Sequence, residues 1–198
     1  YNISRLDYLQ KVFPDTRIVI PVRHPLHHVA SLMKQHRLFV DGETRYPRAL
    51  AHMQRVGHFE FGLDRRPINV GDTEVIEEIQ SLWDSGEEVR GWARYWSHMY
   101  GWILDELEQN DAIRDAAMLV RFEDLCDDPH DVLQRLLTHA ELDDEGVVEA
   151  FAPTIHAPTY YQPKFTADDL SALQEETQQV AARLGYLEEE QPASPKQV

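Results

Sequence analysis

The chain has 198 residues, 42% hydrophobic and 27% charged, an ordinary globular balance that can bury a full core in one domain. A net charge of −16 argues against a general nucleic-acid surface, and there is no run of about 18 apolar residues to span a membrane. The single cysteine, Cys126, excludes an internal disulfide framework and fits a reducing, cytoplasmic compartment. The charge is unevenly spread. Residues 1–66 hold eleven Lys or Arg against six Asp or Glu, whereas residues 67–198 hold eight against twenty-nine. A basic third on an acidic body points to a localised site for an anionic ligand, with a chance surface asymmetry as the alternative.

In chain order, Ser4 with Asp7 three residues on is expected to cap a helix carrying Leu6, Leu9, Val12 and Phe13, stopped by Phe13-Pro14-Asp15. Arg17–Val22 is β-branched and reads as a buried strand. Pro25 suits the first turn of a helix carrying Val29, Leu32 and Met33. Residues 41–72 read as largely irregular, with one helix near 47–57. Asp72 or Thr73 caps a helix through Trp83, and Val89 to Leu107 forms a long helix rich in buried aromatics. Met118–Phe122 is a second strand, and Asp128-Pro129 opens another amphipathic helix. Thr166 with Asp169 forms a capping box for the last helix, which Gly185 ends. The acidic tail at 188–198 is expected to be disordered. Strands alternating with helices predict an α/β layered fold with a mainly parallel sheet, in one domain over 1–187.

The segment from Val19 to His36 contains four histidines, two prolines, an arginine and a serine. It does not have a zinc spacing: Pro25 pins the backbone beside His24, and no second cysteine is available, so His24, His27 and His28 are expected to face solvent and no metal is assigned. An anion-binding turn fits better. The strand ends at Val22 and the helix begins at Pro25, a place where ligands sit in open α/β sheets and where a helix offers free N–H groups and a positive dipole. Arg23 in that turn can grip a phosphate through two parallel hydrogen bonds. Ser31, eight residues on, can bring a hydroxyl to the same ligand. The competing reading pairs Arg23 with a carboxylate and leaves Ser31 as surface.

The block from Arg5 to Ser31 resembles the central block of PAPS-dependent sulfotransferases: a helix, Phe13-Pro14-Asp15, a strand, Arg23-His24-Pro25 and a serine eight residues after the arginine. Leu119 to Pro129, with Glu123-Asp124-Leu125, is similar to a second block of that family, and Arg183-Leu184-Gly185-Tyr186 to a third. Residues 41–116 match only loosely. The resemblance implies a P-loop-like layered fold, a central parallel sheet flanked by helices and a helix-rich C-terminal part. It implies sulfuryl transfer from PAPS (3′-phosphoadenosine 5′-phosphosulfate) to a hydroxyl or amine, without a metal. Arg23 and Ser31 then hold the 3′-phosphate. Phe122 stands where the family has a tyrosine and keeps an aromatic face for adenine, and Lys164 can reach the 3′-phosphate from a loop that closes over the nucleotide.

The family's phosphosulfate loop has no counterpart in this sequence, so the general base and the sulfuryl-side cation are expected in an N-terminal portion of the protein ahead of Tyr1, and the chain alone is expected to be inactive. Asn2 falls where the family can have a histidine. As an amide it is no base, and at most it hydrogen-bonds the sulfuryl group. Arg45, Arg48, Arg55, Arg65 and Arg66, with His52 and His58, read as a solvated basic loop, or as a lid over an anionic acceptor. The acceptor is a small molecule, glycan or lipid. The alternatives are a nucleotide-dependent kinase of similar fold and a non-catalytic helical interaction module.

Overall fold

The computed structural model describes residues 2–158 and 163–186. The acidic tail at 188–198 lies outside them. After a 3-10 turn at Asn2–Arg5, the chain forms α1 (Leu6–Val12), β1 (Ile18–Val22), α2 (Pro25–Arg45), α3 (Pro47–Val56), α4 (Thr73–Asp84), α5 (Glu88–Gln109), α6 (Asp111–Ala116) and β2 (Ala117–Arg121). It continues through α7 (Phe122–Asp127), α8 (Pro129–His139), α9 (Val147–Phe151), a 3-10 turn at Ala152–Thr154, and α10 (Ala167–Arg183).

The expected layered α/β architecture is not what forms. Helix accounts for 69% of the described residues, and the sheet has two strands, β1 and β2, paired in parallel with Ile18 opposite Ala117 and Val22 opposite Arg121. A helix takes the central place assigned to a sheet. Residues along most of α5 are buried, with Trp92, Ala93 and Ile103 fully enclosed, because α2, α4, α6 and α10 all pack against it. A helix apolar on most of its circumference is a core element, and α5 is wrapped accordingly. Gly91 permits the close approach of α4: a Cβ there would sit 2.5 Å from the indole of Trp83.

The β-pair lies at the margin of this bundle. Ile18, Ile20 and Val22, with Ala117 and Leu119, face the helical core, while Val19 on the opposite face is 43% exposed. The strand spans fall within a residue of expectation. The local signals held where chain-local chemistry determines them: Asp72 accepts from Val75 N–H at the start of α4, Asp128 from Asp131 N–H at the start of α8, and Thr166 and Asp169 form a reciprocal capping box. Ser4 lies within the first 3-10 turn, and Arg5 holds the N-cap position of α1. The region read as irregular is also more helical than expected, since α2 runs on to Arg45.

Residues 57–72 strap across the bundle through buried charge. Arg65 is no solvated loop residue: its guanidinium lies 4.1 Å from the ring centre of Trp83 and 5.3 Å from that of Trp92. Its fork donates two 2.7 Å hydrogen bonds to Glu88, which also accepts from the Trp92 indole N–H. Burial alone would raise the pKa of Glu88, but the hydrogen bonds and charge of Arg65 hold it below the ordinary value. Glu43, 4% exposed, accepts from Leu63 N–H, and Gly62 passes so close to it that a Cβ would lie 2.3 Å from the carboxylate. Among the described residues no helix is long and apolar enough to cross a membrane.

Candidate anion site at the strand ends

The parallel register delivers Arg23 and Phe122, the residues just after Val22 and Arg121, to adjacent positions beyond the carboxyl ends of the strands. The Arg23 guanidinium lies 4.8 Å from the centre of the Phe122 ring. Two of the residues singled out from the sequence are therefore brought together, though in an unexpected way, since Arg23 occupies one face of the ring read as an adenine platform.

Charge pairing sets Arg23 apart. Five arginines are partly buried: Arg23, Arg65, Arg90, Arg94 and Arg121. The last four each hold a carboxylate, from Glu88, Glu175 and Glu176, Glu78, and Asp124 respectively. Arg23 makes no ion pair among the described residues, and its Nε is buried without a hydrogen-bond partner. A buried guanidinium N–H left without an acceptor is costly unless a partner completes it.

The expectation of free N–H groups at the start of α2 is overturned. Pro25 has none, Leu26 N–H donates to Nδ1 of His24, and the N–H groups of His27 and His28 both donate to the His24 carbonyl. His24 thus closes the first turn itself, leaving the helix dipole and the Arg23 side chain as the means to hold an anion. The N–H of His24 donates to Glu123 Oε1 at 3.0 Å, and the Tyr186 hydroxyl donates to Oε2 at 2.8 Å. Arg121 donates to Asp124 and, at 2.7 Å, to the Gly185 carbonyl. Glu123 and Asp124 are thereby structural. The end of α10 is bolted to both strand ends, a link that sequence reasoning missed. The only signal for it was Tyr186 closing an Arg-Leu-Gly-Tyr motif.

Comparison with protein-family models, curated proteins and solved structures returns no match.

The histidines do not face solvent as expected: His24, His27 and His28 are all partly buried. His28 Nδ1 lies 3.4 Å from the Tyr100 hydroxyl, which in turn donates to the Pro21 carbonyl. Burial first and the Arg23 charge second push the His28 pKa down to about 4, against a smaller opposing pull from Glu123. Burial first, then the Glu123 hydrogen bond and charge, push the Tyr186 hydroxyl well above the ordinary phenol range, so it stays a donor. Burial, then Glu123 and Asp127, raise the Cys126 thiol, with Arg23 opposing, which leaves it protonated and a poor nucleophile.

Ser31 is exposed on α2, about 9 Å along the helix axis from Pro25 at 1.5 Å per residue. Asn2 is exposed in the first 3-10 turn, and Lys164 is exposed beside residues 159–162, which lie outside the described residues. Neither hydrogen-bonds to the Arg23 cluster among the described residues. A separate cavity of about 380 Å³ lies along the second half of α2, lined by Met33, His36, Arg37, Val40, Asp41 and Glu88.

Proposed function

We propose that the protein uses Arg23 to hold the 3′-phosphate of PAPS and takes part in sulfuryl transfer to a hydroxyl or amine of a small-molecule, glycan or lipid acceptor. The observation that carries this reading is Arg23 itself: a partly buried arginine beyond the end of a parallel strand, which among the described residues has no ion pair, unlike every other partly buried arginine. A phosphate dianion supplies the missing charge and accepts two guanidinium N–H groups at once. Ser31, exposed on the helix that follows, provides a hydroxyl to the same group. In this reading the chain contributes the nucleotide half of an in-line transfer, in which positioning and electrostatics carry most of the rate. The single cysteine favours a reducing, cytoplasmic setting.

The dominance of helix favours a second reading, an interaction module in which Arg23 is a structural cation stacked on Phe122. Calorimetric titration with PAP, the desulfated nucleotide, separates the two. Arg23→Ala should weaken binding by about 1.5–3 kcal/mol, roughly tenfold or more, and Ser31→Ala by about 1 kcal/mol. Wild-type affinity in both variants, or no PAP binding by the wild type, would leave Arg23 structural and end the donor assignment.

A further inference from the structure

Among the described residues, nine of the fifteen arginines pair with carboxylates. Of the rest, Arg37, Arg45, Arg48 and Arg55 cluster on the second half of α2 and on α3, all exposed and all without an ion pair among the described residues. We propose that this corner, where α2 turns into α3, is a docking surface for anionic lipid.

The corner has three properties that a lipid surface matches. Tyr46 alone separates the two helices, so Arg45, Tyr46, Pro47 and Arg48 form one exposed projection. Within α3, Arg48, His52 and Arg55 recur at spacings of four and three, which places them on a single stripe, and the helix sequence Pro47–Val56 contains no carboxylate. Finally, no residue of α3 is buried, and large apolar side chains stand exposed among the cations: Leu38 at 56%, Tyr46 at 63% and Val56 at 57%. A linear polyanion is held by cations alone. Cations interleaved with exposed apolar and aromatic groups on an amphipathic helix are the composition that inserts at a headgroup boundary. The acidic remainder of the chain adds orientation, because an anionic leaflet repels it and draws in the basic corner. Lipid contact and donor binding use different side chains, so either can fail without the other.

The test is co-sedimentation of the protein with phosphatidylcholine vesicles, with and without phosphatidylserine, at low and high salt. Binding should require phosphatidylserine and fall with salt. Arg48→Ala/Arg55→Ala should lower the partition coefficient about 25-fold, about fivefold per charge removed near an anionic leaflet. Tyr46→Ser should lower it too, and since these side chains are exposed, both variants should melt like the wild type. Absence of binding to phosphatidylserine vesicles overturns the proposal, as does equal binding by the double variant. Tight binding to a soluble sulfated polysaccharide, with vesicle binding indifferent to Tyr46→Ser, also overturns it and makes the corner a polyanion site.

Discussion

Arg65 and Glu88 are predicted to be worth far less together than either is alone. Arg65 is 10% exposed at its side chain, packed against two touching indoles, and bonded to Glu88 by both arms of its fork. Glu88 is 34% exposed and keeps one further donor, the Trp92 N–H. Arg65→Met preserves much of the packing over the indoles but strands a half-solvated carboxylate, which should cost about 3 kcal/mol. Glu88→Leu strands the more deeply buried guanidinium together with an indole N–H, and should cost about 4–5 kcal/mol. Combining the two removes both charges from a region already lined with aromatic groups. The double variant should therefore be more stable than Glu88→Leu alone, with a coupling of at least about 2 kcal/mol in a double-mutant cycle. Urea denaturation of the four proteins at neutral pH measures this directly. Additivity to within about 0.5 kcal/mol would refute the reasoning, because it would mean that neither group depends on the other in the folded state.

Two further predictions concern the strand-end cluster. His28 has its folded pKa, about 4, below its ordinary 6.5, so its neutral form is the one the fold stabilises. That contribution is complete above pH 6.5 and is lost as pH falls from 6.5 through 4, about 3 kcal/mol in all. In His28→Asn the stability-versus-pH curve should be flatter across that window by the same amount, and a curve parallel to the wild type would sink the assignment. Tyr186→Phe removes the hydroxyl donated to Glu123 while keeping the ring, and should cost about 1.5–3 kcal/mol in a denaturant titration, with amide exchange faster at the end of α10. Unchanged stability would show that water replaces the hydroxyl at no cost.

What could be read from the sequence was the chemistry that acts over a few residues. Asp72, Asp128 and the Thr166–Asp169 pair announce helix starts because a cap and the N–H it satisfies lie within one turn. The β-branched run Arg17–Val22 marks β1 and the short, largely apolar run Met118–Phe122 marks β2 for the same reason. What was misjudged depends on partners distant in the chain. Two strands and a row of helices are consistent with a layered sheet, but the same apolar length in α5 can itself be the centre, and periodicity does not distinguish a helix packed against a sheet from one packed on most sides by helices. At the site, Arg23 and Phe122 were legible as candidates. Their stacking was not, nor was the lack of an ion pair for Arg23 among the described residues, since both follow from the register of strands far apart in sequence. The use of His24 as its own helix cap depends on a ring rotamer that no spacing reveals.

The pairing of β1 with β2 also has a temporal consequence. Ile20 meets Leu119 only after all of α2 through α6 lies between them, whereas α4 against α5 and α2 against α3 are contacts between neighbours in the chain. Loop-closure entropy sets non-local contacts late, so the α2–α3 and α4–α5 pairs should form before the strands register. The turn bearing Arg23 and the ring of Phe122 therefore come together among the last events of folding, and the candidate site can serve as a reporter that folding has finished.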